Sequence, residues 1–87
     1  MDPEELDALA AAINTAVGDK LRGLRAEKRI SREELRARTG LGLSTIRRFE
    51  NGEGSPTLTQ LAKILHELGI SMTDFAEMAL KDIPRPK

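Results

Sequence analysis

Ser31-Arg-Glu-Glu-Leu-Arg-Ala-Arg-Thr-Gly40-Leu-Gly-Leu-Ser-Thr-Ile-Arg-Arg-Phe-Glu50-Asn-Gly-Glu-Gly-Ser-Pro56 decides how this chain is read. It holds two short helical patterns separated by a Gly-containing break. Ser31 with Glu34 three residues later forms a capping-box pattern that opens the first helix, and Thr39-Gly40 closes it. The second begins near Gly42 and stops at Asn51-Gly52, where glycine is the usual left-handed terminator. Leu35 points inward from the first, helped by Ala37 or neighbouring small positions. Ile46 and Phe49 point inward from the second, whose far side carries Arg47 and Arg48. Such a pair can lay one helix across another and offer its charged outer face to a groove of DNA.

The flanks read as helices too. Asp2-Pro3-Glu4-Glu5 supplies a cap, a first-turn proline and acids at the positive end of the dipole. Leu6, Leu9, Ile13, Val17, Leu21 and Leu24 then keep one face over about Pro3 to Lys28. This helix is either continuous or broken near Asn14-Thr15 or Gly18. After the Gly52–Pro56 loop, Leu58, Leu61, Ile64, Leu65 and Leu68 mark a fourth helix from about Thr57, stopped by Gly69. Ser71-Met72-Thr73-Asp74 reads as another capping box, opening a fifth helix that buries Phe75, Met78 and Ala79. Ile83-Pro84-Arg85-Pro86-Lys87 cannot continue a helix and reads as a loose tail.

The chain of 87 residues supports one modest core. With only two aromatics, Phe49 and Phe75, and no strand-favouring runs, its fold class is all-α. The absence of cysteine excludes disulfides and thiolate metal sites and fits a reducing cytoplasm. No apolar run reaches membrane length, and an acidic N-terminus is not a signal peptide.

The formal net charge is zero, but the charges are segregated. Residues 1–17 carry four acids and no bases. Residues 18–50 carry ten Lys/Arg against five Asp/Glu, and residues 51–87 carry four bases against five acids. The positive excess of five therefore sits on the two-helix segment and its lead-in, as an electrostatic footprint for phosphates requires. Catalysis finds little support: His66 is the lone histidine, flanked by Leu65 and Glu67 on a helix, and no phosphate-binding glycine loop follows a strand. No metal-ligating set, cofactor motif or small-molecule effector site is legible.

From Val17 to Phe75 the chain closely resembles the Cro/repressor (XRE-type) helix-turn-helix domain of phage repressors and bacterial regulators. The matching residues are Leu21-Arg22-x-Leu24-Arg25, Ser31-x-Glu33-Glu34-Leu35, Thr39-Gly40-Leu41 and Ser44-Thr45-Ile46-x-Arg48-Phe49-Glu50-Asn51-Gly52. Pro56-Thr57-Leu58, Leu61 and Leu68-Gly69-Ile70-Ser71 complete the match. The resemblance implies a compact five-helix, lambda-repressor-like bundle at 17–80, with its motif at about 32–51, an acidic helical extension at 1–16 and a flexible tail at 81–87.

It also implies a sequence-specific transcriptional regulator of double-stranded DNA, with the third helix in the major groove. The expected role is a small repressor, of phage, prophage or bacterial kind, acting as a dimer on a two-fold operator in the bacterial or host cytoplasm. By the resemblance, Leu43, Ser44, Arg47 and Arg48 turn toward base edges or adjacent phosphates. Either arginine can grip a guanine edge, and either can equally neutralise a phosphate. Arg32 falls where relatives commonly carry a phosphate-contacting Gln, and Thr45, Asn51 and Ser55 are further backbone-contact positions. Asn51 can equally serve only to end the helix, and Ser55 only to shape the turn. Arg25 and Glu50 match a pair that many members use as a partly buried salt bridge bracing the reading helix.

Two features depart from the family pattern. Gly42 stands where Ser or Thr commonly caps the reading helix. The acidic leader lies outside the common core, either as a helical extension covering the core or as a dimerisation or partner-binding helix. The chain leaves no room for a separate sensor domain, which points to a stand-alone regulator. The competing reading is a protein-interaction module of the same fold, such as an antitoxin or anti-repressor.

Overall fold

The computed structural model describes residues 1–83. Five helices follow in order: α1 (Pro3–Glu27), α2 (Arg32–Thr39), α3 (Leu43–Glu50), α4 (Leu58–Leu68) and α5 (Met72–Leu80). The described residues contain no strand. Of the tail expected at 81–87, residues 84–87 lie outside the described part.

Local chemistry sets most of the boundaries. Asp2 accepts from the Glu5 amide at 2.8 Å while Glu5 accepts from the Asp2 amide, which fixes the start of α1. Ser31 with Glu34 and Thr57 with Gln60 repeat that reciprocal cap on α2 and α4. At α5 only half of the expected box forms: Ser71 accepts from the Asp74 amide, with no return bond. Aspartate is one methylene shorter than the glutamate or glutamine such a box uses.

α1 runs unbroken through Asn14, Thr15 and Gly18. At Gly18 it passes close against α3. A Cβ there would lie 2.3 Å from the Phe49 carbonyl oxygen and 2.9 Å from that of Glu50, so only glycine permits the crossing. The end of α1 is formed without glycine. Arg29 takes a left-handed φ of 56°, and the amides of Arg29 and Ile30 close back onto the carbonyls of Ala26 and Arg25.

α1 packs on α3 and α5, α2 on α3 and α4, and α4 on α5. Leu21, Leu24, Ile30, Leu35, Ile46, Phe49, Ile64, Leu65, Leu68 and Phe75 form one buried cluster between them. Four residues expected inside stand outside. Leu58 keeps the register of the α4 stripe but is 75% exposed, because no other helix covers the first turn of α4. Leu6 is 52% exposed. A helix of 25 residues is about 37 Å long, so its leading turns outrun a bundle only 24 by 20 Å across. Met78 flanks the Phe75–Ala79 edge of α5 and is exposed, as is Ala37 on α2.

Candidate nucleic-acid interface

The α2–α3 unit is held by its turn and by an ionic brace. Gly40 adopts a φ of 77°, and Thr39 Oγ1 donates to the Leu35 carbonyl at 2.7 Å while accepting from the Leu41 amide at 3.2 Å. One threonine thus closes α2 and aims the chain into α3. Gly42 occupies the N-cap of α3 with extended backbone and no side-chain cap. The orientation of α3 rests instead on its inward edge, where Ile46, Phe49 and Glu50 are all buried.

Glu50 is 2% exposed, and its carboxylate is fully engaged. Arg25 donates from Nε at 2.6 Å and Nη2 at 2.8 Å, the parallel fork that suits guanidinium and carboxylate. Arg25 Nη1 also donates to the Ile30 carbonyl at 3.0 Å, tying the end of α1 into the same knot. Arg32 Nε donates to Glu50 Oε1 at 2.9 Å. Burial alone would push the Glu50 carboxyl upward; the hydrogen bonds and charges of Arg25 and Arg32 outweigh it and hold the group below its ordinary value. The same hydrogen bond raises Arg25 further above its own.

Arg32 therefore does a job that the sequence does not disclose. Its guanidinium joins α2 to α3 through Glu50 while remaining 30% exposed at the start of α2. No sequence signal announces this, because its spacing of 18 residues from Glu50 has no helical meaning.

The other residues singled out from the sequence fall on the outer side of this frame. Ser44, Arg47 and Arg48 are exposed on α3, with Leu43 and Thr45 half-buried on its flanks. Asn51 is the exposed C-cap of α3, and Ser55 is exposed in the loop that follows. Among the described residues no carboxylate forms an ion pair with Arg47 or Arg48, whereas Arg22, Arg36 and Arg38 each pair with an acid on their own helix. The outer face of α3 thus presents two uncompensated guanidinium groups. His66 lies exposed on α4. No described helix is long and apolar enough to cross a membrane.

A short helix seated across another by a buried ionic brace, with an exposed basic far side, defines a helix-turn-helix unit. The helix-turn-helix family model matches residues 21–75, and the chain belongs to this XRE-type family of DNA-binding transcriptional regulators. Two solved structures of the clp gene regulator ClgR from Corynebacterium glutamicum share the fold. One is 27% identical, covers 82% of this chain and 76% of that one, and superposes with a TM-score of 0.76. The other is 26% identical over 83% of this chain and 92% of that one, with a TM-score of 0.75. No curated protein sequence matches the chain.

Proposed function

We propose that this regulator is a small repressor that binds a two-fold operator as a homodimer, inserting α3 of each protomer into the major groove. Leu43, Ser44, Arg47 and Arg48 form the face turned toward base edges or the adjacent phosphates, with Leu43 limited to apolar contact such as a thymine methyl. Arg32, Thr45, Asn51 and Ser55 contact the sugar–phosphate backbone, and Arg25 with Glu50 sets the angle of α3. The observation that carries this reading is the division of α3: its buried edge is locked to α1 and α2 through Glu50, and its exposed edge carries two unpaired arginines.

Residues 17–80 form the DNA-binding unit in this reading, and residues 1–16 an acidic extension. Four acids and no bases over residues 1–17 favour a position for that extension away from phosphates. One such module makes a limited interface, so specificity calls for two half-sites about 34 Å, or one DNA turn, apart. The working location is the bacterial cytoplasm and nucleoid, or that of the host if a phage encodes the gene.

Selecting bound sites from a random DNA pool tests the proposal. An inverted repeat with one-turn spacing supports the dimeric repressor; a lone asymmetric half-site overturns the dimer, and no enrichment overturns sequence-specific binding. A second reading keeps the fold but makes its main partner a protein, as in an antitoxin or anti-repressor. The projecting leader with exposed Leu6 favours it. Failure to enrich any DNA, together with a stable complex with a co-encoded protein, would decide for that reading.

A further inference from the structure

Arg47 and Arg48 are adjacent, exposed and unpaired, yet their surroundings differ at one point. A Cβ built on Gly54 would lie 3.1 Å from Arg48 Nη2, 3.5 Å from its Cζ and 3.8 Å from its Nε. Nη2, Cζ and Nε of Arg48 therefore border the space that a side chain on Gly54 would fill. The Glu53 amide also donates to the Arg48 carbonyl at 2.9 Å, so the loop closes onto the backbone as well as the side chain of the same residue. The φ of Gly54 is not left-handed, unlike those of Gly40, Gly52 and Gly69, so its backbone does not demand glycine. What the glycine supplies is room.

From this we infer that Gly54 is the seat that positions Arg48 for a DNA phosphate, and that Arg47 is left as the base-reading arginine of α3. The inference rests on the DNA-binding reading above and divides its labour. Base edges are read chiefly from the N-terminal part of a recognition helix. Arg47 and Arg48 both stand in the last turn of α3, but the head of Arg48 lies against the loop beyond the helix end, away from that part. A guanidinium held there, with no carboxylate partner among the described residues, is a preorganised anion contact at the rim of the groove. Preorganisation matters because a free arginine must give up rotamer freedom to bind.

The test is Gly54→Ala. The atoms nearest the new methyl belong to the far end of a flexible side chain, which must give by a few tenths of an ångström, so the fold tolerates the change and the Arg48 head shifts off its seat. Side-chain NMR of Arg48 Nε–H, in protein without DNA, should show lower order in G54A than in the wild type while Arg25 stays rigid. Equal order in both overturns the seat directly. On duplex DNA, G54A and R48A should each weaken binding on the order of tenfold at low salt and uniformly across sequences. R48A should also lower the salt slope by about one. The double variant should be no weaker than R48A alone, because both changes remove one contact. R47A should instead relax preference at one base pair. Additive losses in the double variant, or a changed base preference in R48A, overturn the inference while leaving DNA binding intact. A wild-type chain that binds no duplex removes the phosphate role and the reading it rests on, whatever the NMR shows.

Discussion

Arg25 grips Glu50 through two parallel hydrogen bonds, at 2.6 and 2.8 Å, across 25 residues of sequence. Because Glu50 also receives Arg32, one buried carboxylate joins α1, α2 and α3. It is the joint that fixes how far α3 projects and at what angle. Glu50→Ala leaves Arg25 uncompensated in a largely buried position, which costs about 3–5 kcal/mol. For a chain of this size we expect a melting-temperature drop on the order of 20 °C by calorimetry, accompanied by weaker DNA binding. A drop of only a few degrees would mean that the brace is dispensable.

The same carboxylate sets an acid limit on stability. Its folded value lies below the ordinary 4.5, so the brace contributes fully above that pH. Its contribution is lost as pH falls from about 4.5 through the depressed folded value, where the carboxylate becomes protonated. Denaturant titrations across that window should show a steeper loss in the wild type than in Glu50→Gln, which has no proton to take up. Parallel curves would place the acid sensitivity elsewhere.

Gly18→Ala tests the crossing of α1 over α3. The added methyl collides with backbone carbonyls rather than a movable side chain, so α1 must shift. Overpacking of this kind costs about 1–3 kcal/mol or more, although alanine is the better helix former. Chemical denaturation should report that loss; a stabilised variant would show that the crossing is looser than the carbonyl distances indicate.

Arg47→Ala and Arg48→Ala should leave thermal stability within about 0.5 kcal/mol, since both side chains are exposed and outside the brace. Each should weaken binding to a selected operator. Calorimetry beside fluorescence anisotropy separates the two effects, and an arginine variant that melts early but binds normally would reverse the assignment.

The sequence carries the helices well because their ends are chemically marked. Asp2, Ser31 and Thr57 cap where they stand in the chain, and Gly40, Gly52 and Gly69 take the left-handed turns their positions suggest. The end of α1 is less visible because Arg29 adopts a conformation that glycine normally marks. Periodicity names the stripe on α4 but not where neighbouring helices stop covering it, so Leu58 reads as core and stands in solvent. The functional face shows the same divide. Wheel positions separate Ile46 and Phe49 from Arg47 and Arg48, since that is local geometry. The Arg32–Glu50 bond and the seat of Arg48 on Gly54 are tertiary contacts without a local pattern.

DNA binding by the basic face is the central claim, and a salt series on a mixed-sequence duplex tests it most directly. Anisotropy titrations from about 50 to 200 mM salt should give a logarithmic affinity that falls linearly and steeply with logarithmic salt, by about 0.9 per phosphate neutralised. R47A/R48A should flatten that slope. Affinity indifferent to salt, or no binding at the lowest salt, would contradict the account.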